Sequence, residues 1–145
     1  MNLKSLLILT LALSLTLAAF AAEKVLAGPK GGRLLSAEPH AAEFFVTPDQ
    51  KIEITFYDDA LQAIARGEQT ATVTAEAPGG RRRIELEPTA HGFVSRAPLP
   101  EGAPYRVVVQ LRAKPETRLQ NFRIDLNLSH CGGCDRAEYA CTCEH

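Results

Sequence analysis

All four cysteines of the chain lie in residues 130–145, whose sequence is HCGGCDRAEYACTCEH. The thiols form a Cys-x-x-Cys pair and a Cys-x-Cys pair separated by six residues, with a histidine at each end. Two close thiol pairs joined by a short connector can wrap around one ion. Thiolates select Zn²⁺ or Cu⁺ over Mg²⁺ and Ca²⁺, because these metals are soft or borderline acceptors. The predicted metal ligands are Cys131, Cys134, Cys141 and Cys143, with His130 and His145 as alternates.

Two local features favour convergence of these thiols. Gly132 and Gly133 allow the first pair to turn tightly, so that both sulfur atoms point the same way. Residues 135–140 are long enough for one helical turn, which would bring the second pair back over the first. Four thiolates suit tetrahedral zinc, whereas two or three suit Cu⁺.

The same four cysteines also fit two disulfide bonds. An even cysteine count in an exported chain is typical of disulfide stapling, and four cysteines allow three pairings. Cys131–Cys143 together with Cys134–Cys141 would make a compact knot, whereas a direct Cys141–Cys143 bridge would be strained. The metal-bound and disulfide states can interconvert, with metal excluded once the thiols are oxidised. A dithiol oxidoreductase is disfavoured, because no βαβ pattern places the first thiol at the start of a helix.

The first 21 residues have the three parts of a secretory signal peptide. Lys4 provides the positive charge, residues 6–17 are rich in leucine, and Ala19-Phe20-Ala21 is a small-x-small cleavage site. The apolar run is nearer to ~15 residues than to the ~20 that span a bilayer. We therefore expect cleavage after residue 21, a periplasmic or secreted mature chain, and no membrane anchor after cleavage.

The composition argues against several functional classes. The net charge is −1 at pH 7, with both signs mixed along the chain, which disfavours nucleic acids and anionic membranes as partners. There is no Trp and the other aromatic residues are scattered, so no platform for stacking bases or sugars is evident. No Ser/His/Asp set, glycine-rich phosphate loop or carboxylate pair demands catalysis. We therefore expect that the protein is not an enzyme.

Residues 33–128 have a hydrophobic period of two, which is typical of β-strands with one buried face. The alternation is clearest over residues 51–57 and 105–112. Turn signals separate about seven or eight short strands, and no segment has a long helical period. The pattern predicts an all-β protein, an immunoglobulin-like antiparallel β-sandwich with a short Cys-rich C-terminal tail, and a small Greek-key barrel is the alternative.

Three stretches carry more specific expectations. Residues 82–87 (RRIELE) are predicted to form one strand that returns from a turn at residues 78–80. Residues 60–68 fit either a helical turn or an irregular loop. Gly-Pro and Gly-Gly pairs argue against regular structure in residues 22–32. The predicted division of the chain is a signal peptide at 1–21, a linker at 22–32, a β-sandwich domain at 33–128 and a Cys/His-rich tail at 129–145.

The segment from Gly28 to Leu35, GPKGGRLL, resembles the N-terminal region of periplasmic adaptor subunits of heavy-metal efflux pumps. It is also similar to small stand-alone periplasmic proteins that share this module. In both, a Gly-Pro-His-Gly-Gly-Arg/Lys-Leu start leads into an immunoglobulin-like β-sandwich. Lys30 stands where the family often has histidine, which removes a potential ligand. The chain also lacks the long coiled-coil hairpin of an adaptor, so the resemblance implies a stand-alone module that handles transition metals in the periplasm.

Two functions are compatible with these observations. One is a periplasmic transition-metal-binding protein that holds Zn²⁺ or Cu⁺ in its thiolate cluster. It would act as a buffer, chaperone or accessory in heavy-metal homeostasis, and the resemblance implies a heavy-metal efflux complex or another envelope protein as partner. The other is a non-enzymatic interaction module of the cell envelope with a disulfide-stapled tail. Because metal ligands must be deprotonated, the first function predicts binding that weakens below roughly pH 6.

Overall fold

The computed structural model describes residues 23–144 as two antiparallel β-sheets packed into a sandwich. The predicted signal peptide lies outside the described residues. The strands are β1 Leu26–Ala27, β2 Arg33–Leu35, β3 Ala41–Val46, β4 Ile52–Tyr57, β5 Thr70–Ala77, β6 Gly80–Ile84, β7 Leu86–Pro88, β8 Gly92–Ser95, β9 Tyr105–Arg112 and β10 Gln120–Leu126. A short 3₁₀ helix, Glu138–Ala140, follows β10.

The strands divide into a six-stranded sheet in the order β1-β2-β3-β4-β8-β7 and a four-stranded sheet in the order β10-β9-β5-β6. Inward-facing side chains of both sheets form one core between them. Its largest fully buried aliphatic and aromatic side chains are Phe44, Ile52, Ile54, Val73, Val107, Val109, Leu111, Ile124 and Leu126. The predicted all-β sandwich is confirmed, and its immunoglobulin-like character stays a prediction.

The segment predicted as one strand over residues 82–87 is two strands in different sheets. β6 ends at Ile84 and pairs with β5, whereas β7 begins at Leu86 and pairs with β8. Between them the carbonyl of Glu85 accepts a hydrogen bond from the Arg96 N–H. The prediction of a single strand is wrong, because a period of two shows which side chains face inward and not which sheet the backbone joins.

The predicted linker contains a strand and a tight loop. β1 pairs with β2, and the Gly28 N–H donates to the Gly32 carbonyl at 3.0 Å to close the turn between them. Gly31 has a φ of +89°, a conformation that glycine adopts readily. The expectation of no regular structure in residues 22–32 is therefore wrong over Leu26–Ala27, since the glycines form a hairpin turn.

The ambiguous residues 60–68 form neither a helix nor a strand. Ala63 makes an isolated bridge to Tyr57. Across residues 23–144, no helix has the length and apolar character needed to cross a membrane.

Candidate metal centre

The C-terminal tail is packed against the sandwich. Tyr139 is 5% exposed and Ala140 is fully buried, and both belong to the core. The Tyr139 ring meets Phe44 edge to face, with 5.8 Å between ring centroids. Its hydroxyl accepts a hydrogen bond from the Val46 N–H of β3 at 2.9 Å. The 3₁₀ helix is thereby fixed against β3, which holds the second thiol pair in place.

A short hairpin presents the first thiol pair. His130 and Ala137 form an antiparallel bridge at its base. The Cys131 N–H donates to the Arg136 carbonyl at 2.8 Å on one side of the bridge, and the Glu138 N–H donates to the Ser129 carbonyl at 2.9 Å on the other, so the two arms are joined on both sides. The Cys-Gly-Gly-Cys segment lies at the turn, with Cys131 on the first arm and Cys134 beyond the glycines.

The 3₁₀ helix brings the second thiol pair over the first. Cys141 N–H donates to the Glu138 carbonyl at 3.2 Å and closes the helix. The Cys143 N–H then donates to the Cys141 sulfur at 3.4 Å, so the last backbone segment bends around that atom. The helical turn predicted for residues 135–140 is present in this shorter form.

The four cysteine sulfur atoms all lie within 4.8 Å of one another. Sγ of Cys131 and Cys143 are 4.0 Å apart, and Sγ of Cys134 and Cys141 are 3.8 Å apart. Zinc–sulfur bonds of about 2.3 Å give a tetrahedron with edges of about 3.8 Å. Cys131 and Cys141 are closer, at 2.8 Å, so these two sulfurs would separate by about 1 Å around an ion. The cluster otherwise has the dimensions of a tetrahedral thiolate site.

No disulfide bond joins these four cysteines. The sulfur pairs of the compact knot, Cys131–Cys143 and Cys134–Cys141, are separated by 4.0 and 3.8 Å. A disulfide has an S–S distance of about 2.05 Å. The sulfurs are grouped around one point, which is the arrangement that a single ion requires.

The thiols differ in how readily they lose a proton. A hydrogen bond from the Arg136 backbone N–H lowers the pKa of Cys134 to about 7. Hydrogen bonding with Cys131 raises the pKa of Cys141 to about 12. Cys134 therefore becomes a thiolate more easily than Cys141.

The cluster has a buried side and a more open side. Cys131 and Cys141, the inner pair, are buried, whereas Cys134 and Cys143, the outer pair, are half-buried. His130 is exposed, and its imidazole is not part of the converging group of four thiols. The other alternate ligand, His145, lies outside the described residues.

Gly133 has a role in this cluster that its neighbour lacks. A Cβ atom at Gly133 would lie 2.9 Å from the Cys143 sulfur, whereas one at Gly132 would meet nothing within 4 Å. We expect Gly133→Ala to displace Cys143 and to weaken zinc binding about fivefold to tenfold, since forcing a side chain off its rotamer costs about 1 kcal/mol. Gly132→Ala is the matched control, and we expect it to bind zinc like the wild type. Equal affinities of the two variants in a competitive zinc titration would contradict this geometry.

A buried carboxylate lies on β3, one residue before the Phe44 that contacts the tail. Glu43 is fully buried, and its Oε1 accepts hydrogen bonds from the N–H groups of Gly32 at 2.7 Å and Lys30 at 3.0 Å. Its Oε2 accepts one from the Tyr57 hydroxyl at 2.8 Å. Burial and this contact raise the pKa of Tyr57. We call this carboxylate, with the Gly32, Lys30 and Tyr57 groups that donate to it, the Glu43 clasp. The sequence did not predict the clasp, because a glutamate in an alternating strand is normally solvated.

The clasp explains the glycines of the GPKGGRLL segment in this chain. A Cβ at Gly28 would lie 2.2 Å from the Glu43 side chain, and one at Gly32 would lie 2.4 Å from the Phe44 carbonyl oxygen. Both positions therefore need glycine for close packing. Close glycines upstream of a strand that contains a lone glutamate were the only sequence signal for the clasp.

Lys30, at the position where the resembling family often has histidine, is engaged in an ion pair. Its Nζ lies 2.6 Å from the Glu53 carboxylate of β4. Comparisons with protein-family models, curated proteins and solved structures gave no significant match for this chain. The resemblance to efflux adaptors stays a prediction, and the site itself provides the functional argument.

Proposed function

We propose that the chain is an exported metal-binding protein that holds one Zn²⁺ ion between four thiolates and buffers or transfers it in the periplasm. The observation that carries this proposal is the convergence of the Cys131, Cys134, Cys141 and Cys143 sulfurs within 4.8 Å. Soft ligands in a tetrahedral arrangement select zinc or a similar ion over the abundant Mg²⁺ and Ca²⁺.

Zinc fits this ligand set better than copper. Cu⁺ is satisfied by two or three thiolates, which would leave at least one of the four sulfurs without a metal bond. The Sγ–Sγ distances of 3.8 Å between Cys134 and Cys141 and of 4.0 Å between Cys131 and Cys143 match the edges of a zinc–thiolate tetrahedron. All four thiols are therefore used when the ion is Zn²⁺.

Two sequence features support the location and the role. The signal-peptide pattern of residues 1–21 predicts export. The resemblance of the GPKGGRLL segment to efflux adaptors and their stand-alone relatives implies metal handling in the periplasm. A partner in this setting would be a heavy-metal efflux complex or another envelope protein.

Metal analysis and thiol counting on mature protein, isolated from the periplasm without a chelator, test this proposal together. We expect about one zinc per chain, and four thiols that react with a thiol reagent once zinc is removed. A chain without metal and with a mass ~4 Da below that of the reduced form would contain two disulfides. That result would replace the proposal with a disulfide-stapled interaction module.

Zinc affinity is expected to rise steeply with pH. The pKa values of Cys141 and Cys143 are raised, so both thiols carry protons in the metal-free chain at pH 8. Zinc must displace these protons, and below the Cys134 pKa of about 7 it must displace another. The base-10 logarithm of the apparent association constant for zinc should therefore increase by at least about two per pH unit near pH 8, and by more below pH 7. Competitive titrations in reducing buffer measure this slope, and equal affinities at about pH 5 and about pH 7.5 would exclude thiolate ligands.

A further inference from the structure

We infer that zinc is exchanged first at the outer pair, Cys134 and Cys143, by ligand exchange with a partner that offers two thiolates, and that the inner pair releases the ion last. This inference rests on the proposed function, because it concerns the route and the partner of the same ion. Its basis is the unequal burial and anchoring of the four ligands.

The inner pair is held by the fold. Cys131 is 0% exposed and Cys141 is 7% exposed. The N–H of each donates to a backbone carbonyl, that of Arg136 for Cys131 and that of Glu138 for Cys141. The neighbouring Ala140 is fully buried in the core. Withdrawing either sulfur would disturb the hairpin or the 3₁₀ helix that docks the tail.

The outer pair lies at an open edge. Cys134 and Cys143 are half-buried, and their chain neighbours, which are Gly133, Asp135, Thr142 and Glu144, are all exposed. The turn that precedes Cys134 consists of two glycines, and the space around a Cβ at Gly132 is empty to 4 Å. The Gly132-Gly133 turn has no side chain that could cover this edge.

The backbone hydrogen bond of Cys143 also differs from those of the inner pair. The Cys143 N–H donates to a ligand sulfur, that of Cys141, and not to a carbonyl of the sandwich. The Cys143 sulfur can therefore move away from the ion while the hairpin and the 3₁₀ helix keep their backbone hydrogen bonds.

These features define an exchange in two steps. A thiolate of the partner forms a bond to zinc at the open edge, the bond between zinc and one outer sulfur breaks, and that sulfur takes up a proton. A second partner thiolate then displaces the other outer sulfur, which also takes up a proton, and zinc is shared between the inner pair and the partner. Transfer is complete when the two inner sulfurs release zinc to the partner and take up protons in turn. No electrons are transferred, since zinc and every sulfur keep their oxidation states. The partner is thus a protein or peptide segment with two adjacent thiols.

Pulsed alkylation during metal transfer tests this route. The full mature chain, loaded with zinc, is mixed with a synthetic peptide that contains Cys-x-x-Cys, and N-ethylmaleimide is added in short pulses before mass spectrometry. We expect Cys134 and Cys143 to be labelled at least about tenfold faster than Cys131 and Cys141, and the transfer rate to rise in proportion to peptide concentration. The same peptide with serines in place of its cysteines is the control and should cause no transfer.

Two outcomes separate failure of this inference from failure of the proposed function. Equal labelling of all four cysteines, or a transfer rate independent of peptide concentration, would mean that zinc dissociates before it is captured. The route would then be wrong, although the chain would still bind zinc. Failure to load about one zinc per chain at the start would instead contradict the proposed function.

Discussion

Replacing Cys131 with serine is expected to lower the zinc affinity of the chain by more than about a hundredfold. Structural zinc sites contribute about 10–16 kcal/mol of binding free energy, so loss of one of four thiolates costs on the order of 3 kcal/mol. Cys131 is fully buried, and its sulfur is within 4.0 Å of the sulfurs of both Cys141 and Cys143. A serine hydroxyl there is a harder and shorter ligand that does not replace the thiolate.

Thermal unfolding with and without zinc provides a second measurement of this effect. At a free zinc concentration of about 100 times the wild-type Kd, binding should stabilise the wild type by about 2.7 kcal/mol, and Cys131→Ser by about 0.4 kcal/mol or less. Thr142→Ala is the control, because Thr142 is exposed and lies between two ligands without being one. Wild-type zinc affinity in Cys131→Ser would show that Cys131 is not a ligand.

Replacing Glu43 with alanine is expected to lower the free energy of unfolding by about 3 kcal/mol or more, a large part of the 5–15 kcal/mol typical of a domain. The Gly32 and Lys30 N–H groups and the Tyr57 hydroxyl all donate to this carboxylate. Each buried donor left without an acceptor costs about 1–3 kcal/mol, and water entering the vacated space would reduce the sum. The hairpin between β1 and β2 would also lose its attachment to β3.

Glu53→Ala is the matched control for this experiment. Glu43 accepts from the backbone N–H of Lys30, whereas Glu53 forms an ion pair with the Lys30 side chain, 2.6 Å from Nζ. The Glu53 side chain is 33% exposed. Exposed ion pairs contribute only about 0–1 kcal/mol, so this variant should unfold close to the wild-type urea concentration. Similar losses of stability in the two variants would contradict a special role for the buried carboxylate.

The sandwich was predictable because burial on one face of a strand leaves a local pattern. In β9, Tyr105, Val107, Val109 and Leu111 are buried and alternate with exposed or half-buried residues, as the sequence predicted. The break at Glu85 was not predictable in the same way. Ile84 and Leu86 face inward whether the chain stays in one sheet or crosses to the other, and the crossing depends on which distant strand each segment pairs with.

The metal ligands were predictable from the chemistry of the cysteines, whereas the residues that hold the tail and the β1–β2 hairpin in place were not. Four thiols in two close pairs indicate a metal site or two disulfides at any position in a fold. Tyr139 holds the tail through Val46, a residue 93 positions away, so no local pattern indicates its role. Glu43 and the Lys30 N–H that it binds are 13 residues apart, and only the glycines around Lys30 hint at the contact.

Zinc K-edge X-ray absorption on the metal-loaded chain tests the central claim most directly, because it counts the atoms bound to the ion. A four-thiolate site predicts four sulfur neighbours at about 2.3 Å and no nitrogen or oxygen in the first shell. Fewer than four sulfurs, with nitrogen at about 2.0–2.1 Å, would contradict the four-thiolate site and would point to a histidine, His130 or His145, as a ligand.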